Sequence, residues 1–183
     1  RGGGSHKINA SSMSWSVSTL ATPIWAQAAI SIKPPTLFSY TFPSGQNYVI
    51  LIKGNLIINT QLHVPTDSTI TFIVSGDIIV TQNVGETTTS SSTSNIEGFY
   101  STDKNFIIWG SNTCPTNADK RLNIAGTVVA NAAKTGGTFQ NQRDLCSGNA
   151  SCPVFSIQER PDFILNAPNI IKYQNTIYQE VAP

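Results

Sequence analysis

The chain has 183 residues, a formal net charge of +1 and only 11% charged residues, against about 25% in an average soluble domain. That balance excludes a basic nucleic-acid surface and a polybasic attachment to anionic membranes. Ser, Thr, Asn and Gln hold the polar positions instead, and the composition is that of an extracellular or surface-exposed β protein with one substantial core.

The first residues, Arg1 to Ser5, are Gly-rich and flexible by composition. A start at Arg1, with neither an initiator Met nor a signal peptide, reads as a processed product. Met13-Ser14-Trp15-Ser16-Val17-Ser18 alternates apolar residues with Ser, the pattern of a strand with one buried face. Two readings are open for Met13, Trp15 and Val17: an internal cap over the first repeat, or a strand added to a neighbouring molecule. The run Trp25 to Ile30, WAQAAI, has a helical look, although Pro23 and β-branched neighbours weaken it. Pro23 to Ile32 is far short of the ~20 residues of a membrane span. Leu37 to Phe42 reads as a further strand and Pro43-Ser44-Gly45 as a turn. Residues 1–46 are thus an N-terminal extended segment.

From Asn47 onward one phrase recurs. Ile52-Lys53-Gly54-Asn55-Leu56-Ile57-Ile58-Asn59 and Val74-Ser75-Gly76-Asp77-Ile78-Ile79-Val80-Thr81 share the order apolar, polar, Gly, polar, three apolar, polar, with glycines 22 residues apart. Gly98 follows after another 22 residues and Gly126 after 28 more. Leu62 and Val64, then Ile70, Phe72 and Val74, alternate with polar residues, and Pro65 to Ser68 supplies corner chemistry. This period predicts a short parallel β-helix, a β-solenoid over residues 47–183, with Gly54, Gly76, Gly98 and Gly126 in line at one bend. A β-sandwich, whose strands also recur at short intervals, is the competing reading.

Residues 86–95, ETTTSSSTSN, read as a low-complexity polar loop projecting from the coil stack, and Phe106 to Trp109 resumes a strand. Residues 110–121 and 134–151 read as two further irregular loops, and insertions on one side of a solenoid suit a binding face. Cys114, Cys146 and Cys152 lack zinc-site spacing. Cys146 and Cys152 can close a small disulfide loop, and either can pair with Cys114. Pro161 and Pro168 stand at helix-start positions, so the tail reads as two short helical turns and a strand, Thr176 to Val181, that caps the stack. The phrases GDIIV (76–80) and IAGTVVAN (124–131), with the ending RPDFILNAP (160–168) and IYQEVAP (177–183), resemble uncharacterised secreted or surface β-solenoid proteins of very small bacteria. They are distantly similar to pilus-associated β-helical domains. The resemblance implies an exported solenoid with a C-terminal cap and transfers no catalytic residue.

Catalysis requires converging groups, and the sequence offers few. His6 lies in the Gly-rich end, and His63 takes a polar-phase position between Leu62 and Val64, as a solvated strand residue does. No nucleophile elbow, zinc-helix, phosphate-loop or dinucleotide motif occurs. Asp77 and Glu97 flank repeat glycines and form the one carboxylate pair to weigh for sugar cleavage, near each other on successive coils but on opposite phases of the strand, which argues against it. Trp15, Trp25, Tyr100, Trp109 and Tyr178 are dispersed and suit packing more than sugar stacking. Asn9-Ala10-Ser11 and Asn149-Ala150-Ser151 fit the N-glycosylation pattern. Residues 1–66 carry four bases and no acid, whereas all ten acids follow position 66. Chance in a charge-poor chain accounts for this asymmetry, and the alternative is complementary ends that align subunits head to tail. The expectation is a non-enzymatic structural subunit without cofactor or metal, at the cell surface. It forms a homopolymer through its N-terminal segment, with no nucleic-acid partner and no membrane span. The alternative is a monomeric adhesin that binds a glycan or host-surface ligand.

Overall fold

The computed structural model describes residues 6–8, 13–14, 24–26, 30–32, 39–111 and 113–168, with the side chains of the first four strands left aside. The protein is all-β, with strands in two parallel sheets and very little helix. One sheet follows the order β1 (His6–Ile8), β3 (Ile24–Ala26), β6 (Asn47–Ile52), β9 (Thr69–Val74), β11 (Ile96–Thr102), β13 (Leu122–Val129) and β15 (Phe155–Gln158). Two further strands, β5 (Ser39–Thr41) and β8 (Gln61–His63), join it at β11. The second sheet follows β2 (Met13–Ser14), β4 (Ile30–Ile32), β7 (Leu56–Ile58), β10 (Ile78–Val80), β12 (Phe106–Ile108) and β14 (Phe139–Asn141).

Apart from β5 and β8, successive strands alternate between the two sheets, so each strand pairs with its counterpart one tier away. Asn47 lies against Thr69 in the first sheet and Leu56 against Ile78 in the second, an interval of 22 residues in both. The next tier is longer, pairing Phe99 with Thr71 and Phe106 with Ile78. Both sheets therefore advance together, and the added length falls between strands.

Alternation decides which side chains are inside. Leu56, Ile58, Ile78, Val80, Phe106 and Ile108 are fully buried, while Ile57, Ile79 and Ile107 between them are partly exposed. Burying such a side chain is worth about 1.5–3 kcal/mol. Pairing in register also stacks like on like: Phe72 on Tyr100 with centroids 5.5 Å apart, and Phe106 on Phe139 at 5.4 Å.

The glycine line needs correction. Gly76 does stack on Gly54, donating its N–H to the Gly54 carbonyl at 2.8 Å, and a Cβ there would meet that oxygen at 2.6 Å. Gly98 is not the next member. The register Thr102 against Val74 sets Lys104 beneath Gly76, because residues 82–95 lengthen this tier. Gly98 instead pairs with Gly126 in mid-strand, beside Ile70. The four glycines thus form two stacked pairs at different places, one at a corner and one within paired strands.

Three other expectations change. Trp25 and Ala26 lie in β3 and Ile30 in β4, where pairing with Ile50–Ile52 and Leu56–Ile58 overrides the helical look. Residues 134–151 contain β14, which completes the Phe106–Phe139 stack. The 86–95 loop is tied down: Arg121 donates to the Thr89 carbonyl at 2.7 Å, and Asn123 donates to those of Ser91 and Thr93. At the C-terminal end, α1 (Pro161–Asn166) supplies one helix with Pro at its start. The second helical turn and the strand expected over Thr176 to Val181 lie outside the described residues.

Gly126 has a φ of 139°, and a Cβ there would sit 2.0 Å from the Gly98 carbonyl oxygen. Gly126→Ala is expected to destabilise the fold by roughly 2–4 kcal/mol in urea unfolding. A change under about 0.5 kcal/mol, the range of neutral surface substitutions, would contradict the Gly98–Gly126 register.

Candidate functional site

Three places gather polar or unpaired groups. The first is the corner at Glu97. One tier runs from Leu62 to Thr71 through Val64, Pro65 and Ser68, whereas the next runs directly from Ile96 to Phe99. The shortcut leaves the backbone of Val64 without a strand opposite, and the Glu97 side chain fills the gap. Its Oε2 accepts the Val64 N–H at 2.6 Å, and Oε1 accepts the Ser94 hydroxyl. His63 Nδ1 stands 3.6 Å from Oε1.

Arg160 closes this corner from outside. It donates to Glu97 Oε2 at 3.0 Å, to the Val64 carbonyl at 3.2 Å, and through Nε and Nη2 to Asp162 at 2.8 and 2.6 Å. Its guanidinium also lies 4.2 Å over the Phe163 ring, which is fully buried against Phe99. Hydrogen bonding to Asp162 holds the Arg160 pKa above its ordinary value, and the same bonds hold the Asp162 carboxyl below its own. Both carboxylates are committed to one guanidinium, an arrangement that clamps α1 to the sheets. Burial, followed by the nearby Glu97 charge, pushes the Tyr100 hydroxyl well above its usual pKa.

Asp77 belongs to a different corner from Glu97, so the two carboxylates weighed for sugar cleavage do not converge. Asp77 Oδ1 accepts the Asn105 N–H at 3.0 Å and its side-chain amide at 2.8 Å. Asn55 accepts from the Asp77 N–H, and Asn105 from the Thr138 N–H. The result is a ladder in which each side-chain oxygen satisfies the backbone of the following tier.

The second place is where residues 110–121 meet residues 142–152. Arg143 is buried and donates to the carbonyls of Thr81, Trp109 and Lys120 at 2.7, 3.1 and 2.9 Å, tying successive tiers together. Burial lowers its pKa to about 10, partly offset by Asp119. The disulfide here joins Cys146 to Cys114, not to Cys152. The 3-10 turn Cys146–Ala150 and the bond from the Cys152 N–H to the Gly148 carbonyl fix the path between Cys146 and Cys152. Asp119 meanwhile brings the Cys114 loop alongside. Cys152 is a free, half-buried thiol.

The third place is the pair of sheet ends. Among the described residues, β14 and β15 each pair with one strand, as do β1 and β2 at the opposite end. Phe139 is 37% exposed and Ile157 46% exposed on the C-terminal end. Met13 pairs with Ile30 of the same chain, so its strand is the first member of a sheet rather than a detached arm. Trp15 and Val17 lie outside the described residues. Of the expected aromatics, Tyr100 is core and Trp109 is 49% exposed. No helix among the described residues is long and apolar enough to cross a membrane.

No protein-family model, curated protein or solved structure matches this chain. Reading of the site therefore rests on its own geometry.

Arg160→Met removes the clamp. It is expected to raise hydrogen exchange over residues 161–166 and to lower stability by roughly 1–3 kcal/mol. The folded pKa of Asp162 is depressed, so its contribution is present above the ordinary carboxylate range and is lost as pH falls through the folded value. Acid should release α1 before the core unfolds, and Arg160→Met should lack that early step.

Proposed function

We propose that the chain is a structural subunit of an extracellular fibre or surface layer, and that its tiers are the coils of a β-solenoid. Copies stack head to tail by parallel strand addition: β1 and β2 of one copy continue the sheets of the next beyond β15 and β14. The observation that carries this reading is the pair of sheet ends. Among the described residues both sheets are wholly parallel and both stop at the same tier, so a second copy in the same orientation extends them together. A four-base, acid-free leading third and a tail richer in acids add complementary charge. The disulfide and the low charge are compatible with residence outside the cell.

A monomeric glycan-binding module is the second reading. It is favoured by Trp109, half-exposed beside the disulfide-tied loops, since an open indole face suits a sugar ring.

Phe139→Lys with Ile157→Lys places a charge on the last strand of each sheet, at exposed positions. The wild type is expected to form filaments by negative-stain microscopy and fast-sedimenting species. The double variant should stay monomeric with an unchanged near-ultraviolet spectrum. Wild type that remains monomeric at ~1 mM, the upper part of the micromolar to millimolar range over which exposed strand edges associate, would sink the fibre reading. The same monomer on a glycan array tests the second reading.

A further inference from the structure

The two loops that meet beside Arg143 bring together Cys114, Asp144 and Cys146, one ligand atom of each within 4.8 Å of the others. In the structure the two sulfurs are bonded to each other, which removes both thiolates from coordination chemistry. The loops do not rely on that bond to stay together. The Asp119 N–H donates to the Asp144 carbonyl at 2.8 Å, and the Asp144 N–H donates to Asp119 Oδ2 at 3.0 Å. Asp119 Oδ1 holds the near end of the first loop through the Ser111 N–H and hydroxyl at 2.9 and 2.7 Å. Arg143, the neighbour of Asp144, is anchored on three carbonyls. The Asp144 carboxylate is itself oriented, since its Oδ1 accepts the Cys146 N–H at 2.7 Å and the Asn149 amide at 2.5 Å.

We propose that reduction of the Cys114–Cys146 disulfide turns this cluster into a binding site for a thiophilic divalent cation of the zinc class. The ligands are the two thiolates and the Asp144 carboxylate, with water in the fourth position. A dithiol supplies two electrons and two protons and is oxidised to its disulfide; with a water-soluble phosphine, one water supplies the oxygen of the phosphine oxide and the two protons. The sulfur–sulfur bond breaks and each sulfur takes one proton. Binding the cation then releases both thiol protons, so three negative ligands face a double positive charge. Zinc–sulfur bonds of about 2.3 Å in tetrahedral geometry need the sulfurs roughly 3.7 Å apart. The exposed Cys114 side chain has room to swing that far, and the Cα atoms lie 5.6 Å apart. The spacing of the cysteines hid this site: Cys114 is 32 residues from Cys146, and only stacking of two insertions brings them together. The proposal is independent of the fibre reading.

The test uses the full chain treated with a phosphine reductant and then titrated with Co²⁺ as a spectroscopic probe. Reduced wild type is expected to take one equivalent with thiolate-to-cobalt charge-transfer absorption and tetrahedral visible bands, both removed by Zn²⁺, and the oxidised protein should show neither. Cys114→Ser and Cys146→Ser should abolish the bands, and Cys152→Ser should leave them. Asp144→Asn should weaken binding by at least ~10-fold, since even outer-shell partners of a metal are worth that much. Absence of the bands in reduced wild type would overturn the proposal, whether or not hydrogen exchange shows the loops still joined. So would bands that survive Cys114→Ser or that need Cys152.

Discussion

Parallel pairing in register is the constraint from which the rest of this protein follows. It sets each residue against its counterpart one tier away, so a side chain must be compatible with its own kind. Aliphatic residues satisfy that by burial, Phe72 with Tyr100 and Phe106 with Phe139 by ring stacking. Buried amides satisfy it by directional bonding: Asn95 accepts the Asn123 N–H, and Asn123 accepts the Ser156 hydroxyl. Like charges placed directly opposite each other would be unfavourable, which accounts for a chain so poor in charge and so rich in Asn, Ser and Thr.

The same constraint confines irregularity to corners. A residue inserted within a strand would turn every following side chain to the other face, whereas one inserted at a corner leaves both ladders intact. Tier length therefore varies while strand pairing does not. Where a corner is shortened, as between Ile96 and Phe99, the lost backbone partner is replaced by the Glu97 carboxylate and sealed by Arg160. Where corners are lengthened, the insertions lie on one another and are joined by Arg143 and the disulfide. Ionised groups are thus concentrated where regular pairing fails.

Among the described residues each sheet ends in strands paired on one side only, so the property that stabilises the interior also leaves edges that a further strand could extend. An edge strand offers unpaired backbone groups, and here two edges of the same polarity end side by side. The polar corners hold the helix and the loops to the sheets through the Arg160 bonds and the Cys114–Cys146 disulfide.

By itself the sequence determined the all-β character, the alternating buried faces, the 22-residue tier between Gly54 and Gly76 and the corner at Pro65 to Ser68, since all of these are written in local periodicity and turn chemistry. It also made the cysteines visible as a disulfide set without choosing among their pairings. Only tertiary structure decided that Gly98 stacks on Gly126 rather than on Gly76, that Phe139–Asn141 and Phe155–Gln158 are strands, and that Cys114 takes Cys146. The Glu97–Arg160 clamp, 63 residues apart in the chain, left no local signal either. The physical reason is common to all four: the length of an insertion shifts which tiers face each other without altering the pattern inside any strand.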